Sequence, residues 1–205
     1  MTRRALLLSG SLGAGHEMAT RACATSLAAR GWDTETLDAM RLLGPRGGSA
    51  GEAVFRTMLA TPGLFDAFHF AALRPGSRLA LLADAGARRQ LVPRLRDYLD
   101  DNPADLAISV FATAASAVSA LADRYPGMKH VVLCTDVTPH RLWVQPDVDL
   151  YLVTSSVAEA AVRRSSPGPG SGWSSRRYGP GSTTRRPRNG PGRISACPWQ
   201  IAPCC

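Results

Sequence analysis

Residues Arg4 to Glu17 read RALLLSGSLGAGHE. An apolar run ends in a glycine-rich turn, and a histidine and a glutamate come directly after it. Residues 5–9 are a short buried strand by composition. Residues 17–30 place Ala19, Ala22, Cys23, Leu27 and Ala28 near one helical face and stop at Gly31. Residues 34–37 read as a second strand. A strand, a turn, a helix and a second strand in this order form one βαβ unit, and that unit sets the reading of the rest.

The alternation continues down the chain. Residues 52–60 and 63–73 read as helices broken at Thr61-Pro62, and 88–99 as a helix with Pro93 near its start. Then come a strand at 106–111, a helix at 114–124, strands at 130–135 and 150–154, and a helix at 157–164. Apolar strands alternating with helices predict an α/β fold, a Rossmann-like parallel sheet with helices on both faces. In such a sheet the ligand crevice lies at the carboxyl ends of the strands. Four segments are expected there: residues 9–16, the stretch after Phe111, residues 135–143, and Ser155-Ser156.

Charge divides the chain in two. Residues 1–162 hold 16 basic and 16 acidic side chains, whereas residues 163–205 hold eight arginines and no acid, so the whole net charge of +8 lies in the last 43 residues. That tail is crowded with Pro, Gly, Ser and Arg and has no helical or alternating pattern. It is expected to bury too little apolar surface to offset its ordering entropy. The reading is a domain over residues 1–164 and a disordered basic tail over 165–205. Arginine-rich, acid-free composition after an arginine- and alanine-rich body also fits out-of-frame translation of GC-rich codons. No specific nucleic-acid partner is expected from the pI of 9.9, which describes the tail alone.

Cysteine adds little chemistry. Cys23 and Cys134 are read as buried small hydrophobes, and Cys197, Cys204 and Cys205 have no histidine beside them, so no metal site is expected. No apolar run reaches eighteen residues, and the run at 5–8 is too short for a signal peptide. A cytoplasmic protein, with room for a peripheral membrane role, is the resulting expectation.

The glycine turn fails two phosphate-loop templates. Gly10 and Gly15 have Walker spacing, but His16 and Glu17 stand where lysine and a hydroxyl belong, which excludes ATP or GTP hydrolysis. Gly10, Gly13 and Gly15 reverse the dinucleotide order, although Asp38 comes at the end of the second strand. What remains is a tight turn with a histidine on the first turn of a helix. The positive helix end favours a neutral imidazole, the form suited to general-base work. The other reading of His16 is a histidine that caps or packs at the helix start.

Two blocks resemble one family. The stretch SGSLGAGHEMATRACATSLAARGWDTETLD and the stretch VVLCTDVTPHRLWVQPDVDLYLVTSSVAEAAV are similar to blocks of the monogalactosyldiacylglycerol synthases and processive diacylglycerol glucosyltransferases, relatives of the MurG-type transferases. The first carries the glycine-histidine turn. The second carries Thr135, Asp136, His140, Trp143, Asp149, Tyr151, Val153 and Ser155 in the family's order. The resemblance spans about residues 4–163 and implies the N-terminal half of a GT-B fold, which holds a lipid acceptor.

It further implies an inverting transfer of a hexose from a UDP-sugar to diacylglycerol or a related lipid, with the UDP-sugar as co-substrate and no cofactor. His16 matches the general base, with Asp136 as a second catalytic candidate. Gly13, Gly15, His140 and Trp143 match acceptor-side positions. Phe65, Phe68, Phe70 and Arg74 match a region that meets an anionic membrane surface. Each role has a structural counterpart: Asp136 as a turn cap, His140 with Trp143 as a packing pair, the phenylalanines as helix core. The family's donor-binding half has no counterpart in the sequence, so the chain is expected to be truncated and inactive alone. A MurG-like transferase with another lipid acceptor, or a non-catalytic Rossmann-like module with a basic tail, are the alternatives.

Overall fold

The computed structural model describes residues 2–10, 14–43, 78–165 and 193–196. Strand β1 is Arg4–Ser9, helix α1 Ala14–Ala28, strand β2 Asp33–Asp38 and helix α2 Ala39–Leu42. Helix α3, Arg78–Asp101, leads to strand β3, Leu106–Ser109, and helix α4, Ala112–Ala120. Strand β4, Lys129–Cys134, precedes a 3-10 turn at Arg141–Trp143, strand β5, Leu150–Val153, helix α5, Ser156–Ser165, and strand β6, Arg193–Ala196.

All strand pairs are parallel, in the order β2-β1-β3-β4-β5-β6. The chain winds outward from β1 to β2, returns across β1 to β3, and then winds the other way. That reversal makes a topological switch point between β1 and β3, where a crevice opens at the carboxyl ends. The α/β reading and the parallel sheet hold.

Alternation along β1 explains why helices must cover both faces. Leu6 and Leu8 pack with Leu91, Leu95 and Leu99 of α3 and Ala114, Ala117 and Val118 of α4. Leu7 points the other way, joining Ile108, Val110 and Leu133 against Ala19, Cys23, Ala24 and Leu27 of α1. Leu7 and Leu8 are fully buried, and burial of such a side chain stabilises by about 1.5–3 kcal/mol. A third cluster joins Val132, Cys134, Tyr151 and Val153 to Ala158 and Val162 of α5 and to Trp143.

Four expectations change in detail. Helix α3 begins at Arg78 rather than at residue 88, so Pro93 lies inside it. Pro93 faces solvent, while the apolar residues around it bury against the sheet. Helix α4 ends at Ala120, after which Leu121–Arg124 form turns with short-range carbonyl bonds. Cys134 is buried, but Cys23 is only half-buried, among the α1 residues that pack on the sheet. Strand β6 lies in a stretch for which no element was expected; its pairing is main chain to main chain along β5, which composition does not reveal. The helices read at 52–60 and 63–73 lie outside the described residues.

Asp38, the acidic residue that ends β2, has a local task. Its Oδ1 accepts the Met40 N–H at 2.8 Å and caps α2.

Candidate functional site at the strand carboxyl ends

The site is built from the segments just beyond β1, β3 and β4. His16 stands in the first turn of α1, beyond β1. Its Nδ1 lies 2.7 Å from the carbonyl oxygen of Val110, the residue after β3. The same nitrogen lies 3.2 Å from Thr135 Oγ1, the residue after β4. One imidazole therefore touches the ends of two further strands, across the switch point.

Phe111 frames the ring from the β3 side. Its ring meets His16 edge-on, with centroids 5.9 Å apart and planes at 78°. Gly10 makes room for it: a Cβ at position 10 would fall 2.8 Å from Phe111 Cγ. The first glycine of the turn is thus needed for a close side-chain approach. Gly15 has open space around the position a Cβ would take. Gly13 lies outside the described residues, as do Phe65, Phe68, Phe70 and Arg74.

Trp143 closes the far side. It is buried, with its ring centroid 6.4 Å from that of His16 and 6.3 Å from that of His140. Its indole N–H donates to Asp136 Oδ2 at 2.7 Å. The same carboxylate oxygen lies 3.7 Å from His140 Nε2. Asp136 therefore anchors Trp143, with His140 alongside, and the ring of Trp143 neighbours His16. Asp149, another residue of the second block, has a different place: it accepts the His130 N–H at 2.9 Å and pairs with Lys129 at 3.3 Å at the amino ends of the strands. Tyr151 is buried and clamps the Gln145 main chain, accepting its N–H at 2.8 Å and donating to its carbonyl at 3.0 Å.

The electrostatics around the site are set by burial. Cys134, at the end of β4, has its thiol pushed up to about 12 by burial, with the Asp136 charge adding to it, so it stays protonated at neutral pH. Burial also raises the Asp84 carboxyl on α3, against a hydrogen bond from Ser116 of α4 at 3.0 Å and the Arg88 charge. Among the described residues no group of three or more His, Cys, Asp or Glu could hold a metal ion, and no helix is long and apolar enough to cross a membrane. A cavity of about 400 Å³ lined by Thr2, Arg3, Arg30, Gly31 and Trp32 opens at the amino ends of β1 and β2, away from His16.

Of the site residues named from the sequence, the structure brings His16, Asp136, His140 and Trp143 near one another, the last three in direct contact. Sequence reasoning missed Phe111 and the Val110 carbonyl, and it gave Thr135 no task. The one signal for Phe111, Gly10 opposite a large residue after β3, becomes readable only once the β1–β3 register is known. A main-chain carbonyl leaves none.

Neither the curated proteins nor the solved structures contain a match to this chain. Residues 80–166 match the family model of monogalactosyldiacylglycerol (MGDG) synthase. The matched span contains Thr135, Asp136, His140 and Trp143 and ends with α5; the His16 turn precedes it. The resemblance to this family of glycolipid glycosyltransferases, read from two sequence blocks, is thereby shown for the half of the site that lies beyond β3 and β4.

Proposed function

We propose that this chain is the acceptor-binding half of an inverting glycosyltransferase that moves a hexose from a UDP-sugar to diacylglycerol. The observation that carries the reading is the placement of His16 at the β1/β3 switch point, beside Trp143 of the family-matched segment. Chemically, the step needs a base at the acceptor hydroxyl. As that O–H bond breaks, the proton passes to the His16 imidazole. The acceptor oxygen bonds to the anomeric carbon, and the carbon–oxygen bond to the diphosphate breaks, its electron pair leaving with UDP. Asp136 serves this site through Trp143, which it orients, rather than by a proton transfer of its own. Gly13 and Gly15 give the acceptor access to the turn, and His140 and Trp143 form its wall.

No cofactor is required beyond the UDP-sugar itself. Residues 1–164 form the acceptor domain in this reading, and 165–205 the basic tail. Phe65, Phe68, Phe70 and Arg74 would rest on an anionic bilayer, which puts the protein at the inner face of the cell membrane.

The test is flotation with vesicles that do or do not contain diacylglycerol, paired with a transfer assay. Saturable binding that depends on diacylglycerol is expected, with no turnover from UDP-glucose or UDP-galactose by the chain alone. Binding indifferent to diacylglycerol would refute the acceptor assignment. Turnover well above a His16→Ala control would refute the half-enzyme assignment.

A further inference from the structure

His16 has two ring nitrogens, and the reaction can use only one. The structure distinguishes them. Nδ1 lies 2.7 Å from the Val110 carbonyl oxygen, an atom that can only accept. A bare Nδ1 at that distance would set lone pair against lone pair. Nδ1 must therefore carry the hydrogen, and in the neutral ring Nε2 is left as the basic atom.

Thr135 Oγ1 adds a second oxygen to the same nitrogen at 3.2 Å. A flipped ring would place a carbon where Nδ1 now stands and would lose both contacts. Phe111 and Trp143 flank the ring at centroid distances of 5.9 and 6.4 Å, so the ring is held in its plane as well as in its flip state.

We propose that Thr135 is a positioning residue for His16: with the Val110 carbonyl it holds the imidazole as the Nδ1–H tautomer and presents Nε2 as the proton acceptor. The proposal deepens the base assignment made above and rests on it for its purpose, but the tautomer itself exists before any substrate arrives. Thr135 lies inside the family-matched span and Val110 at the end of β3, so the geometry ties the matched segment to a histidine outside it.

The experiment is long-range proton–nitrogen NMR of the histidine rings in the ¹⁵N-labelled full chain without ligand, on the wild type, Thr135→Ser and Thr135→Val. Wild-type His16 is expected as one tautomer, protonated on Nδ1, and Thr135→Ser keeps that signature. Thr135→Val, similar in shape but without the hydroxyl, should raise the flipped or Nε2–H population roughly fivefold, the effect of one ordinary hydrogen bond. The buried His130 ring reports whether the variant is folded. A wild-type His16 protonated on Nε2 would overturn the proposal even if the valine variant did not fold. A folded Thr135→Val with the wild-type signature would overturn the role of Thr135. Failure of diacylglycerol binding would instead strike the functional reading and leave the tautomer result standing.

Discussion

Gly10 and Asp136 show how single residues prepare this site. A Cβ on residue 10 would stand 2.8 Å from the Phe111 ring, so the ring must move. Gly10→Ala is expected to lower stability by about 1–3 kcal/mol, the usual cost of overpacking. Adding Phe111→Ala should recover part of that loss in denaturant unfolding, because the clash goes with the ring. Fully additive losses would contradict the contact. Asp136 takes the buried Trp143 N–H at 2.7 Å. Asp136→Ala leaves that donor unpaired and should cost about 1–3 kcal/mol, with a shift of the Trp143 indole resonance. In the sequence the glycine turn departs from a phosphate loop, because the lysine and hydroxyl are missing. The use of Gly10 was not legible, since it depends on a distant ring, Phe111, that only the β1–β3 pairing brings near.

Among the elements, α3 carries a half-buried acid, Asp84, that the sequence pattern did not single out. Asp84 is held up by burial, and its hydrogen bond from Ser116 of α4 only partly offsets that. Its folded-state pKa lies above the unfolded value, so the folded state holds the proton more tightly. The contribution is favourable below the ordinary carboxylate range, about 3.9, and is lost as pH rises through the raised value. Asp84→Asn keeps an acceptor for Ser116 and removes the charge. The variant should gain stability relative to wild type as pH rises from acid to neutral, and unfolding midpoints at a series of pH values check this. A gap that is constant with pH would contradict the burial argument. The strands and the α/β order were legible because apolar alternation reports burial. Helix α3 was read ten residues late at its start because Pro93 resembles a helix start, and only its exposed placement shows why the helix tolerates it.

At the scale of the whole molecule, the six-stranded sheet ends on a strand from the tail. Strand β6 pairs with all four residues of β5. Truncation after Ser165 would leave one side of β5 unpaired, so amide exchange across Leu150–Val153 should quicken and the thermal midpoint should fall. Unchanged exchange in β5 would show that the pairing contributes nothing in solution. Composition gave no sign of this strand, because a four-residue ladder needs only main-chain groups. The same scale joins the site: His16 comes from the β1 end, Val110 from the β3 end and Thr135 from the β4 end, and the switch-point topology puts them within one ring's reach. The central claim is that this junction receives a lipid hydroxyl. The most direct test tracks the His16 ring and the Trp143 indole N–H by NMR while diacylglycerol is titrated in mixed micelles. Saturable shifts at both residues, absent with micelles lacking diacylglycerol, are the predicted result; no shift at either, or equal shifts with and without diacylglycerol, would contradict the account.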